Sequence, residues 1–227
     1  MSNVAIIPAR GGSKRIPRKN IRDFLGKPII AYSIEVALES GLFEEVMVST
    51  DDEQIAEVAK NYGAKVPFMR SKDNADDYAT TVDVLLEVLN VYKEQNKHFE
   101  NGCCIYPTAP MLKPRYLEKG YRKLVDEAFS TVFPVVEFSY PIQRSLKLNE
   151  KGKAEMNWPQ HLESRSQDLP KAYHDAGQFY WFIIEEVEKE KKLFGENSGA
   201  IILPNASVQD IDTEEDWKLA ELKAKLD

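Results

Sequence analysis

The chain has 227 residues, 43% of them hydrophobic and 30% charged, with a formal net charge of −7. That length fits one large domain, or one domain with a lobe, and the apolar content suffices for a sizeable core. The acidic total argues against general nucleic-acid binding, and no apolar run approaches the roughly 18 residues that cross a bilayer.

The N-terminus has no basic segment ahead of an apolar one, so no secretion signal is expected. The two cysteines, Cys103 and Cys104, are neighbours inside an apolar run. On a strand they point to opposite faces and do not bridge, so they read as reduced core residues of a cytoplasmic protein.

The chain opens on Val4-Ala5-Ile6-Ile7, a buried strand closed by Pro8. A loop with Gly11, Gly12, Ser13 and many cations follows. Within the first 30 residues Arg10, Lys14, Arg15, Arg18, Lys19, Arg22 and Lys27 stand against Asp23 alone. Like charges repel, so a loop that gathers them implies an anionic partner as the alternative to a solvated basic turn. Glycines let backbone N–H groups approach a phosphate, and Arg10 and Lys19 could neutralise its oxygens. The loop matches neither G-x-x-x-x-G-K-[ST] nor G-x-G-x-x-G.

A helix is expected from Pro28, with Ile30, Ile34, Ala37 and Leu38 on one face and Gly41 at its end. Glu45 to Ser49 reads as a second strand closed by Thr50-Asp51-Asp52. Next come a helix with Ile55, Val58 and Ala59 inward, a stop at Gly63, and a short third strand over Lys65–Phe68. A polar loop covers 70–80, and a periodic helix runs from about Thr81 to Glu94. Gly102 to Tyr106 is a fourth strand, ended by the two prolines of Pro107-Thr108-Ala109-Pro110. A helix over 114–127 and an apolar strand over 130–136 follow.

Alternating strands and helices indicate a parallel α/β sheet, in which ligands bind beyond the carboxyl ends of the strands. The loop after the first strand, the Ser49–Asp52 corner and the Pro107–Pro110 turn all belong to that edge.

The alternation breaks over 137–182. Lys147 to Glu155 reads as a hairpin, and Gly177 to Phe182 as an aromatic strand, buried either in the core or by a second subunit. This stretch is expected to form a small dimerisation lobe. The end returns to a charged helix at 185–193, a strand at 200–203 and a helix after Thr213-Glu214-Glu215-Asp216. That run fits a capping box, and the helix is expected to bury Trp217, Ala220 and Leu222.

Ahead of that helix stands Asp210-Ile211-Asp212. On an extended segment the two carboxylates point the same way, roughly 6.5–7 Å apart at Cα. They suit two oxygen ligands on a hard cation such as Mg²⁺, with a polyphosphate completing the shell. They equally suit a role in offsetting the helix dipole. A dehalogenase-type phosphatase also uses D-x-D, but after its first strand and not its last.

The run from Ile7 to Asn20 resembles the signature of the sugar-acid cytidylyltransferases, the CMP-sialic acid synthetases. Ser49-Thr50-Asp51-Asp52, Pro107-Thr108-Ala109-Pro110 and Asp210-Ile211-Asp212-Thr213 match further blocks in the same order. The resemblance implies a Rossmann-like three-layer α/β/α fold with a mostly parallel sheet, and a homodimer whose lobe reaches the partner's site. It implies activation of a nine-carbon 2-keto sugar acid with CTP, giving the CMP-sugar and pyrophosphate.

By position it places Arg10, Gly11, Gly12, Ser13, Arg15, Lys19 and Asn20 on the nucleotide, with Arg70, Thr80 and Thr81 near the nucleoside. It places Asp210 and Asp212 on Mg²⁺, with Arg10, Lys19 and Asp210 as the catalytic set. Tyr106, Thr108, Arg165, His174, Asp175 and Gln178 fall to the sugar acid. Tyr106 replaces a common Gln, and Tyr173-His174-Asp175-Ala176-Gly177-Gln178-Phe179-Tyr180-Trp181 resembles the branch that activates pseudaminic acid. Sialic and legionaminic acids are the alternative substrates, and a CTP-binding module without turnover is the alternative of another class.

Overall fold

The structure is a computed structural model and describes residues 2–76 and 78–226. Eleven strands are present among them: β1 (Asn3–Pro8), β2 (Asp23–Phe24), β3 (Lys27–Pro28), β4 (Glu45–Ser49), β5 (Asn101–Ile105), β6 (Thr131–Glu137), β7 (Leu146–Leu148), β8 (Ala154–Met156), β9 (Tyr173–Asp175), β10 (Phe179–Ile183) and β11 (Ser198–Ile202). The helices are α1 (Ile29–Glu39), α2 (Glu53–Asn61), α3 (Thr81–Glu94), α4 (Pro114–Asp126), α5 (Ile184–Glu190) and α6 (Glu214–Ala224).

The central sheet runs β11-β6-β10-β5-β1-β4, and β9 pairs with the far end of β6. Every pairing in it is parallel except those of β9 and β10. Helices cover both faces, which is why β1 and β4 are apolar almost throughout. One face buries Ile30, Ile34, Leu117 and Trp181 beneath α1, α2 and α4. The other buries Leu85, Val88, Phe182 and Val187 beneath α3 and α5. These are the expected three layers.

A third, smaller core joins Ile16, Phe24, Ile29, Ile211, Trp217 and Ala220. It seats α6 and its capping box, in which Thr213 accepts from Asp216 N and Asp216 reaches back to Thr213 N at 2.8 Å. Leu222 is not part of that core and is 61% exposed. Leu38 likewise projects outward from α1, at the end of its apolar face.

The strand expected over Lys65–Phe68 reduces to one parallel bridge between Met47 and Lys65. Pro67 has no N–H to extend the ladder. The aromatic strand also departs from expectation. β10 lies between β5 and β6, antiparallel to both, with Phe179, Trp181 and Phe182 wholly buried in this chain's own core. The ring of Phe182 passes 2.3 Å from where a Cβ would stand on Gly102, so only glycine fits there. The part of 137–182 outside the central sheet therefore ends at β9, and it contains the expected hairpin as β7–β8.

Candidate active site

The carboxyl ends of β1, β4 and β5 open on one cleft. The loop leaving β1 is drawn to the β4 corner by two carboxylates. Gly11 N donates to Asp51 Oδ1 at 2.9 Å. Arg18 holds Asp52 with both guanidinium nitrogens, at 2.5 and 3.0 Å, and donates to Gln54 Oε1 at 2.7 Å. Asp52 also caps α2 by accepting from Ile55 N at 3.0 Å. The Arg18 hydrogen bonds hold the Asp52 carboxyl below its ordinary range, against a smaller opposing effect of burial. A Cβ on Gly11 would lie 2.8 Å from Asp52 Oδ2, so the close approach that needs glycine here is to this carboxylate. At Gly12 a Cβ would meet only open space.

The far half of the loop is tied to the segment before α6. Lys19 Nζ donates to Ile211 O at 2.8 Å and stands 3.8 Å from Asp212 Oδ1. Arg15 Nη1 meets Asp212 Oδ2 at 2.6 Å. Arg22 pairs with Glu214 through both nitrogens and stacks 4.6 Å over the Trp217 ring. Burial pushes the Lys19 ammonium below its ordinary range, and the Asp212 charge only partly opposes this. Ile211, fully buried between the two aspartates, anchors the segment and leaves Asp210 exposed.

Two adjoining hollows share Pro8 and Arg10. The first, of about 200 Å³, is lined by Ser13, Lys14, Arg15, Lys19, Asn20 and Thr108. The second, of about 230 Å³, is lined by Arg70, Thr80, Thr81 and Tyr106. Arg10 Nη1 donates to Asp76 O at 2.8 Å, and Asn20 Nδ2 donates to Arg10 O at 3.0 Å. Arg70 is buried against β4, where it donates to Ser49 Oγ and to Ser49 O. Thr80 caps α3, and the Thr81 hydroxyl lies 3.1 Å from that of Tyr106.

The structure thus gathers Arg10, Ser13, Arg15, Lys19, Asn20, Arg70, Thr80, Thr81, Tyr106 and Thr108 around one cleft, with Asp212 on its rim. Besides Asp212, seven expected residues do not line these hollows: Gly11, Gly12 and Asp210, which lie on the neighbouring segments, and Arg165, His174, Asp175 and Gln178. Arg165 pairs with Asp168 on its own exposed loop. His174 rests against Phe138. Asp175 accepts from Gly177 N at 2.9 Å and from the Tyr180 hydroxyl. Gln178 is buried and donates to Ser207 O at 2.7 Å.

Sequence reasoning missed Arg18, Asp51 and Asp52 as the clamp on the loop. The signal was present: adjacent acids at a strand end, facing a loop crowded with cations.

A cationic glycine loop on a sheet-edge cleft makes a site suited to a polyanion such as a chain of phosphates. Residues 4–198 match the cytidylyltransferase family, and the chain belongs to it. Among its relatives is a pseudaminic acid cytidylyltransferase of Campylobacter jejuni, 48% identical over the whole of this chain and 97% of that protein. The CMP-N,N'-diacetyllegionaminic acid synthase of Legionella pneumophila is 34% identical over 97% of this chain and 95% of its own length. Among solved structures, CMP:2-keto-3-deoxy-manno-octonic acid synthetase complexed with CTP shares the fold. Its TM-score is 0.70 at 20% identity, over 100% of this chain and 98% of that one.

Proposed function

We propose that this chain is a CTP-dependent cytidylyltransferase that activates pseudaminic acid. The observation that carries the reading is the cleft itself. A glycine loop clamped by Asp51 and Asp52 presents Arg10, Arg15 and Lys19 opposite the Asp210–Asp212 segment. The near-full-length relatives supply the substrate class.

In the reaction, a sugar hydroxyl oxygen attacks the α-phosphorus of CTP. The bond to the bridging oxygen breaks, pyrophosphate leaves, and the hydroxyl proton is lost. Such transfer depends on positioning and charge neutralisation. Lys19, fixed by the Ile211 carbonyl, and Arg10, fixed by the Asp76 carbonyl, would receive the leaving group's charge. Arg70, Thr81 and Tyr106 would line the nucleoside side.

Asp210 and Asp212 are hard oxygen donors, and no group of three or more His, Cys, Asp or Glu side chains able to hold a metal occurs among the described residues. Two carboxylates fit Mg²⁺, which keeps water and phosphate oxygens for its remaining positions. When bound, Mg²⁺ would supply charge that orients the phosphates.

We further read the segment 138–172 as a homodimer contact, because Tyr140, Leu146, Leu148 and Leu162 all expose more than half their surface. No helix among the described residues is long and apolar enough to cross a membrane; we read dependence on CTP as favouring a cytoplasmic location.

The test is pyrophosphate release with CTP and a panel of pseudaminic, legionaminic and sialic acids. Release fastest with pseudaminic acid is expected. Faster release with another acid would reassign the substrate. Tight CTP binding with no release from any acid would make the chain a binding module.

A further inference from the structure

Asp212 is enclosed by two cations that behave differently. Lys19 is largely withdrawn from solvent, its side chain 21% exposed, and is committed to the Ile211 main-chain carbonyl. Arg15 has no such anchor: its side chain is 69% exposed, and its guanidinium reaches Asp212 Oδ2 at 2.6 Å from the hollow that Lys19 also lines. A divalent ion needs the lone pairs of that carboxylate. With Arg15 in place it would have to share them with a guanidinium and sit beside its positive charge.

Exposed ion pairs are weakly held and exchange partners readily. A triphosphate entering the same hollow offers Arg15 several anionic oxygens in the bidentate geometry that guanidinium prefers. Lys19, bonded to the main chain, can stay where it is.

We infer that Arg15 makes metal binding wait for the nucleotide. It occupies Asp212 in the nucleotide-free chain, transfers to a phosphate when the nucleotide enters, and so releases the carboxylate to the metal. This rests on the Mg²⁺ reading of Asp210 and Asp212 given above. Its consequence is that the metal arrives with, or after, the nucleotide, and that the free protein does not hold a divalent ion tightly.

The test uses Mn²⁺ as the probe ion and the full chain without nucleotide, with affinity read by calorimetry or by the electron paramagnetic resonance of free Mn²⁺. The wild type binds weakly. Arg15→Gln binds up to about fivefold tighter, the most an exposed pair commands. Arg15→Lys keeps the charge and keeps the weak binding. Adding Asp212→Asn to Arg15→Gln returns affinity to the wild-type level. If Arg15→Gln binds Mn²⁺ no better than wild type, or if the gain survives Asp212→Asn, the inference is wrong. Separately, Asp212→Asn with full Mg²⁺-dependent turnover would remove the metal reading and this inference together. Loss of that turnover, with Arg15→Gln unimproved, would remove the inference alone.

Discussion

The Lys19 ammonium donates to the backbone carbonyl of Ile211 at 2.8 Å, across 192 residues of chain. This bond joins the first loop of the protein to the segment before its last helix, and it sets the width of the cleft between them. The carbonyl is held by Ile211 itself, buried with Ile16, Phe24 and Trp217. Lys19→Met removes a fixed donor from where the proposed reaction would develop leaving-group charge, while the apolar stem still packs. A fall in kcat/KM of about 10²–10³ is expected, the scale for losing one preorganised donor. Pyrophosphate release kinetics check it, and a loss under tenfold would remove Lys19 from the catalytic set.

Lys19 also predicts a proton linkage. Burial lowers its pKa in the free chain, with the Asp212 charge opposing. A bound triphosphate stabilises the ammonium and raises that pKa. Between the two values, on the alkaline side, nucleotide binding must take up protons, because the complex holds the proton where the free protein has begun to lose it. Calorimetry of CTP binding in buffers of different ionisation enthalpy reads the uptake. It should grow with alkaline pH in the wild type and vanish in Lys19→Met.

The alternation of elements, the loop after β1 and the capping box at Thr213 were legible because each rests on local chemistry. Apolar period marks the helices, and side chains three residues apart close the box. The direction of β10 was not legible. A run of Phe-Tyr-Trp-Phe reads the same in either direction, and only its pairing with β5 and β6 decides. In the site, cations and glycines announced an anion, and the resemblance named most of the residues that line the cleft. The acids after β4 and the cations of the loop were visible, but which would pair, Arg18 with Asp52 or Arg15 with Asp212, was not, since charge complementarity across 34 or more residues has no spacing to betray it.

Gly11 and Gly12 should respond differently to alanine. At Gly11 the new methyl meets Asp52, whose carboxylate is already fixed by Arg18 and by the α2 cap. The loop must shift, and misplacement of about 1 Å costs activity on the order of 10²-fold. At Gly12 the methyl finds open space in the free chain, so stability is unchanged. If the phosphates lie against Gly12, KM for CTP rises in that variant while Tm holds. Equal KM values for Gly12→Ala and wild type would place the phosphates elsewhere.

Asp52 makes acid sensitivity testable with the sign fixed. Arg18 lowers its folded pKa below the unfolded value of about 3.9. The resulting stability is therefore present above that pH and is lost as pH falls through the folded pKa. Asparagine is itself a good N-cap, so Asp52→Asn keeps the α2 cap and removes mainly the ion pair. With both partners partly exposed, the difference at pH 7 should be at most about 1 kcal/mol. It should shrink toward zero under acid denaturant titration. A gap that widens on acidification would contradict the assignment.

Tyr180 links the β9–β10 turn to the hollow lined by Thr81 and Tyr106. Its hydroxyl donates to Asp175 at the β9–β10 turn, and its ring lies 5.5 Å from that of Tyr106, whose own hydroxyl reaches Thr81 in the second hollow, proposed to take the nucleoside. Burial raises the Tyr180 pKa, with the neighbouring Tyr106 and Asp175 adding to it, so the group stays a neutral donor. Tyr180→Phe leaves Asp175 with the Gly177 amide as its remaining partner in this network. The lost bond to a charged acceptor should lower stability by about 1.5–3 kcal/mol. If the turn faces the sugar acid, KM for that substrate rises while KM for CTP is unchanged, because Arg10, Lys19 and Arg70 are untouched. A rise in KM for CTP alone would show that Tyr180 supports the nucleoside hollow through Tyr106 and that Asp175 takes no part in sugar binding.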